Sequence, residues 1–168
     1  MSVYNGERWL NQTLKSIYAQ TEKDWEIVIV DDGSTDKTSL LLKKAHNQRP
    51  DKIHIITHDN NVGLTRSLIE AAQAARGTFL ARLDVGDFFE TAKLKKQLEF
   101  FKNHPDYGLV GCAYVNRLGD FLKGKIIRPP ATDKSIRAAM LRKNPFAHSA
   151  VMMRKEAYER AGGYDFAV

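Results

Sequence analysis

Glu26-Ile27-Val28-Ile29-Val30-Asp31-Asp32-Gly33-Ser34-Thr35-Asp36 is the stretch that decides the fold. Four β-branched apolar residues in succession leave no polar face, so the run predicts a strand over 26–30 covered on both sides. Such strands belong to parallel sheets packed between helices. Two carboxylates and a Gly-Ser turn then end the strand abruptly. Upstream, Leu10, Leu14, Ile17 and Tyr18 recur at helical spacing, with Asn5 as a candidate cap. Downstream, a helix carrying Leu40, Leu41 and Ala45 inward is predicted, then a strand at 53–57. A turn at Asn60-Asn61-Val62-Gly63 precedes a helix marked by Leu64, Leu68, Ala72 and Ala75, with Gly77 as its stop.

The alternation continues with a strand over 78–83, a helix through Leu94, Leu98 and Phe101, and a strand over 107–115. It predicts an α/β domain with a mainly parallel sheet flanked by helices. Beyond Leu118-Gly119-Asp120 the pattern loosens. A strand over 121–127, a break at Pro129-Pro130, a helix over 134–142, a strand over 149–153 and a short helix ending at Gly162-Gly163 are expected.

The 168 residues suit one domain, and 43% hydrophobic with 27% charged residues supports a packed core rather than disorder. No apolar run approaches the roughly 18 residues of a membrane span. No basic-then-apolar leader precedes Val3. The single cysteine, Cys112, cannot close an internal disulfide and reads as a buried thiol in a reducing compartment. Residues 1–120 carry sixteen basic and sixteen acidic side chains, so the net charge of +6 arises entirely in residues 121–168, with ten basic against four acidic. A solvated face accounts for such an excess; so does an anionic partner such as phosphate or an acidic membrane surface. Nucleic acid is not expected, because no aromatic residues interleave with these charges in a binding motif.

Ligands of open α/β sheets bind beyond the carboxyl ends of the strands. Asp31-Asp32-Gly33-Ser34-Thr35-Asp36 follows one predicted strand and Asp84-Val85-Gly86-Asp87 another. Either alone is ordinary turn and cap chemistry. Two on one edge repel unless they bind a cation, share a proton or accept hydrogen bonds. Oxygen donors suit Mg²⁺ or Mn²⁺, which commonly arrive with substrate phosphates.

Val3-Tyr4-Asn5-Gly6-Glu7, the Ile27–Asp36 run, Asn61-Val62-Gly63-Leu64 and Ala81-Arg82-Leu83-Asp84 together resemble the family 2 glycosyltransferases. Asn144-Pro145-Phe146-Ala147-His148-Ser149 and Gly162-Gly163-Tyr164-Asp165 resemble the acceptor side of the same family. The resemblance implies a GT-A-type nucleotide-diphospho-sugar transferase fold. It implies one domain over 1–168, with 1–120 the nucleotide-sugar-binding half and 121–168 the start of the acceptor-side half. It also implies a UDP- or dTDP-sugar donor and an inverting, metal-assisted transfer to a hydroxyl acceptor. Tyr4, Asn5 and Glu7 then border the nucleotide. Asp32, or else Asp31, accepts a hydrogen bond from the base, above Gly33 and Ser34. Arg66 and Arg82 serve the pyrophosphate or support the acidic loop. Asp84, with Asp87, holds the metal. His148 sits toward the acceptor, where a structural role is the first expectation.

The sequence departs from the family pattern at three places. Gly86 stands where the second Asp of the metal motif is usual, and Asp87 is the available substitute. Only Met1 and Ser2 precede the Val-Tyr-Asn run, which implies an N-terminal truncation or a misassigned start, with the neighbours of the absent strand unpaired and an apolar slot unfilled. The catalytic base is expected beyond Val168. Two alternatives follow: an inactive or binding-only nucleotide-sugar fragment, and a phosphoacceptor signalling domain built on the same acidic strand ends. The resemblance further implies envelope polysaccharide or glycolipid synthesis, with a glycan or lipid-linked acceptor. The expected location is cytoplasmic, at the inner face of the membrane, with peripheral association through the basic C-terminal third.

Overall fold

The structure, a computed structural model, describes residues 1–118 and 122–165. Gly119, Asp120, Phe121 (the first residue of the strand expected at 121–127) and 166–168 lie outside the described residues. The strands are β1 (Ser2–Val3), β2 (Ile27–Asp31), β3 (Ile53–Thr57), β4 (Phe79–Ala81), β5 (Leu109–Val110), β6 (Tyr114–Leu118), β7 (Leu122–Ile127) and β8 (Met152–Arg154). The helices are α1 (Leu10–Tyr18), α2 (Thr38–Gln48), α3 (Leu64–Ala74), α4 (Lys93–Asn103), α5 (Asp133–Met140) and α6 (Lys155–Arg160).

β2 is central and buried along its whole length. It pairs in parallel with β1 and with β3, Ile29 opposite Ile55 and Ser2 opposite Val30. Alternate side chains leave a strand on opposite faces. Ile27 and Ile29 therefore pack with Leu10, Leu14, Ile17, Leu42 and Ala45 of α1 and α2, while Val28 and Val30 pack with Ala71 of α3. β4, β8 and β5 form an antiparallel trio, and β6 and β7 an antiparallel hairpin. The expected α/β architecture is present, with β1, β2 and β3 parallel; the late strand β8 lies between β4 and β5 and runs antiparallel to both.

Between β2 and β4 lies a cavity of about 840 Å³, lined by apolar Val28, Leu68, Phe79 and Met153 and by charged Glu26 and Arg82 among others. Met1 stands at its rim, its amine donating to the Val28 carbonyl. Neither β1 nor β2 pairs with β4 among the described residues.

Four local expectations are corrected. Asn5 does not cap α1: its φ is +49°, Trp9 occupies the cap position, and the Asn5 side chain turns to the Thr35–Asp36 backbone instead. Leu40 is 66% exposed and Leu42 faces inward, because α2 starts at Thr38 and two residues along a helix is about 200° of rotation. The strand expected over 107–115 is split into β5 and β6, with the bare Cα of Gly111 against the Phe146 ring, which an added Cβ would meet at 2.9 Å. The strand expected at 149–153 begins instead as a 3₁₀ turn over His148–Ala150.

Candidate functional site

The turn after β2 and the loop after β1 are laced together. The Asn5 amide donates to Ser34 Oγ at 3.0 Å, and Asn5 Oδ1 accepts from the Thr35 amide at 2.8 Å. The Gly6 amide donates to Thr38 Oγ1 at 2.8 Å. The Glu7 carboxylate takes the Lys37 amide at 2.8 Å, at the start of α2. Asp36 accepts from the Glu7 and Thr38 amides, and these bonds outweigh its desolvation and hold its carboxyl below the usual range. Asn5 and Glu7 thus brace the turn, while the Tyr4 ring stays exposed beside them.

Both carboxylates at the strand end point inward. Asp31 accepts from the Ser34 amide and the Ser39 hydroxyl. Asp32, its side chain 3% exposed, accepts from the Val62 amide at 2.9 Å, the Gly63 amide at 3.0 Å and His58 Nδ1 at 2.8 Å. Burial pushes the Asp32 carboxyl up, but the bonds from His58 and the two amides prevail and hold it below the ordinary carboxylate value. Asp32 therefore ties the Asn60–Gly63 turn and the start of α3 to the end of β2. Gly33 makes the approach possible: at φ +75°, its missing Cβ would lie 2.5 Å from the Asn60 carbonyl carbon. A phosphoacceptor reading needs an accessible Asp nucleophile at this strand end, and both residues are buried.

His58 and Glu70 were not singled out in the sequence. His58 Nε2 meets Glu70 Oε2 at 2.7 Å, and Arg66 Nε lies 3.7 Å from Glu70 Oε1. The available signal was positional: His58 follows β3 directly, and Glu70 stands one helical turn after Arg66.

At the end of β4, the Arg82 side chain, 6% exposed, clasps Asp84 through Nε at 3.2 Å and Nη2 at 3.0 Å, and donates to the Tyr164 hydroxyl at 3.2 Å. Arg82 thus holds the acidic loop through Asp84 and Tyr164. The Asp84 amide donates to Ser149 Oγ at 3.0 Å, which brings exposed His148 beside this turn. The loop then bends at Gly86, whose φ of +98° suits glycine and not aspartate. Thr13 fixes the bend, accepting from the Gly86 amide at 3.0 Å and donating to the Asp87 carbonyl at 3.1 Å. The Tyr4–Glu7 loop runs between the two acidic turns: it is bonded to the first, and a Cβ on Gly6 would meet the Val85 side chain at 3.1 Å.

Among the described residues no three His, Cys, Asp or Glu side chains gather as a ready-made metal cage. Mg²⁺ and Mn²⁺ sites need only one or two carboxylates when waters and substrate phosphates complete the shell. The Asp84 side chain is one-third exposed, its Oδ2 meets Arg82 only at 3.3 Å, and exposed Asp87 follows one turn later. This donor set fits such an ion.

The glycosyl transferase family 2 model matches residues 1–162. EpsE of Bacillus subtilis (strain 168) is 34% identical over 164 residues, covering 98% of this chain and 58% of that protein. The amylovoran biosynthesis glycosyltransferase AmsE of Erwinia amylovora is 29% identical over 167 residues, covering 98% and 62%. The chain thus spans about three-fifths of the length of these relatives. The S. aureus TarS 1–349 structure superposes with a TM-score of 0.77 at 22% identity, covering 97% of this chain and 48% of that one. The mannosyltransferase PcManGT from Pyrobaculum calidifontis, in complex with GDP-Man and Mn²⁺, gives 0.74 at 22% identity, covering 98% and 46%. With an ordered set of motifs, a GT-A-type fold and a family match over nearly its whole length, the chain belongs to glycosyl transferase family 2.

Proposed function

We propose that the protein transfers a sugar from a nucleoside-diphosphate donor, a UDP- or dTDP-sugar, to a hydroxyl acceptor with inversion. The carrying observation is the meeting of two acidic turns, after β2 and after β4, on either side of the Tyr4–Glu7 loop. Family membership and a structural neighbour bound to GDP-Man and Mn²⁺ support a nucleoside-diphosphate-sugar donor, and a neighbour in complex with UDP supports the uridine form.

In this reading Tyr4 and Asn5 flank the nucleobase, and Asp31 and Asp32 set the polar floor beneath it, turned by Gly33 and Ser34. Arg66, 60% exposed at the first turn of α3, faces the diphosphate. Asp84 and Asp87 are the residues that would hold Mg²⁺ or Mn²⁺, and the ion would supply counter-charge to the nucleoside diphosphate. Arg82 and Tyr164 keep the Asp84 carboxylate aimed, and His148 stands toward the acceptor. AmsE, from amylovoran biosynthesis, supports an envelope polysaccharide or glycolipid as product class. The ten basic residues of the last third, and exposed Met140 and Leu141 at the C-terminal end of α5, support work at the anionic inner face of the membrane on a lipid-linked acceptor. No helix among the described residues is long and apolar enough to cross that membrane.

The test is calorimetric titration with UDP, dTDP and GDP, with and without Mn²⁺, on the wild-type chain and Asp84→Asn. One nucleotide is expected to bind with metal dependence, and the substitution to remove that dependence. No binding by a folded chain, or equal binding to all three without metal, refutes the reading.

A further inference from the structure

His58 lies between two carboxylates. Nδ1 is 2.8 Å from Asp32 Oδ1 and Nε2 is 2.7 Å from Glu70 Oε2, with the His58 side chain 14% exposed. Carboxylate oxygens are acceptors only, and a neutral imidazole has one N–H and one lone pair. Both contacts are hydrogen bonds only if both ring nitrogens carry protons. The four side chains then alternate in charge: Asp32, His58, Glu70, Arg66. The chain of charge begins at the carboxylate that anchors the Asn60–Gly63 turn and ends at the arginine on the first turn of α3.

We propose that His58 is a positioning residue of the donor site: as an imidazolium it locks the Asn60–Gly63 turn and the Arg66 side of α3 into one arrangement, coupling the nucleobase end of the site to the diphosphate end. This rests on the donor-site reading above. Five charged residues on the neighbouring elements define the setting of the ring. Asp31 presents its backbone carbonyl to the His58 amide at 2.9 Å, while its carboxylate turns to Ser34 and Ser39. Asp59 is exposed and next in the chain. Glu70 faces the ring from α3, with Arg66 on its far side, and Asp32 faces it from the end of β2. The Asp32 and Glu70 bonds outweigh desolvation and raise the His58 pKa above its ordinary value, which favours the imidazolium the geometry calls for.

On deprotonation one ring nitrogen faces a carboxylate lone pair to lone pair. Glu70, the more exposed partner, is the side that releases, and Arg66 is freed with it. His58→Gln supplies a donor to one carboxylate only. Glu70→Gln restores a complete set with a neutral ring, since Nδ1–H serves Asp32 and Nε2 accepts from the new amide.

The experiment measures affinity for UDP, dTDP and GDP with Mn²⁺ between pH 6 and 9 for wild type, His58→Gln and Glu70→Gln, with ¹⁵N imidazole shifts read on the wild type. Wild-type affinity is expected to fall with rising pH in step with the titration of the ring signal. His58→Gln should be about tenfold weaker at pH 6, the cost of one unpaired charged group, and flat with pH. Glu70→Gln should keep its affinity at pH 9 while matching the wild-type melting temperature within a few degrees. A ring already neutral at pH 7, or a wild-type pH profile that His58→Gln reproduces, overturns this inference alone. Absence of nucleotide binding by the wild type at every pH overturns the donor-site reading and this inference together.

Discussion

Replacing Gly33 by alanine tests how closely the turn after β2 lies on the loop after β3. The added Cβ would lie 2.5 Å from the Asn60 carbonyl carbon, 2.7 Å from the Asn61 nitrogen and 2.9 Å from the Asn60 Cα. All three atoms are backbone, so no side-chain rotation relieves the contact. The residue also sits at φ +75°, where an L side chain costs about 1–2 kcal/mol. Overpacking adds about 1–3 kcal/mol. Together the expected loss is about 2–5 kcal/mol, each kcal/mol lowering the melting temperature of a domain this size by about 2–4 °C. Gly162→Ala is the matched control: its φ is +89° and an added Cβ meets nothing within 4 Å, so only the conformational cost of about 1–2 kcal/mol remains. Urea unfolding of the three proteins measures both numbers. Equal losses for the two variants would show that the Gly33–Asn60 approach is loose, and that Asp32 does not clamp the turn as described.

The amine of Lys93 is buried, bonded to Gln97 Oε1 at 2.8 Å and seated 3.9 Å from the centre of the Phe89 ring; desolvation lowers its pKa to about 8. A lysine whose folded pKa is depressed costs stability when charged, so unfolding free energy should rise with pH between about 8 and the usual lysine value of about 10.4. Lys93→Met should abolish that rise in thermal melts at successive pH values; an unchanged alkaline gain places its origin elsewhere. Thr13→Val removes both hydrogen bonds that pin the Gly86 bend, at a cost of about 1–3 kcal/mol in urea unfolding. It should also weaken the Mn²⁺ dependence of nucleotide binding expected from the proposed function, and full retention of that dependence would show that Thr13 does not hold the Asp84–Asp87 turn for an ion.

The sequence by itself determined the centre of this protein. Four apolar β-branched residues at 27–30 can be satisfied only between two layers, and the acidic turns after β2 and β4 were legible because strand ends place such residues on one edge. Position along the chain did not tell what each carboxylate does. Asp32 stands in the sequence like a residue waiting for a ligand, yet in the fold it holds two backbone amides and a histidine. Arg82 could serve phosphate or carboxylate, and the two-residue step along the end of β4 put Asp84 within its grasp. Asn5 has the chemistry of a helix cap, and only the neighbouring turn at Thr35 decided that its side chain would point elsewhere. His58 carried no motif at all. Its role depends on the end of β2 and the middle of α3 converging on one ring, 26 residues away in one direction and 12 in the other. Local pattern and composition specify which residues form strands and helices. Tertiary packing decides which charged groups share a site, because partners distant in sequence meet only when the layers close.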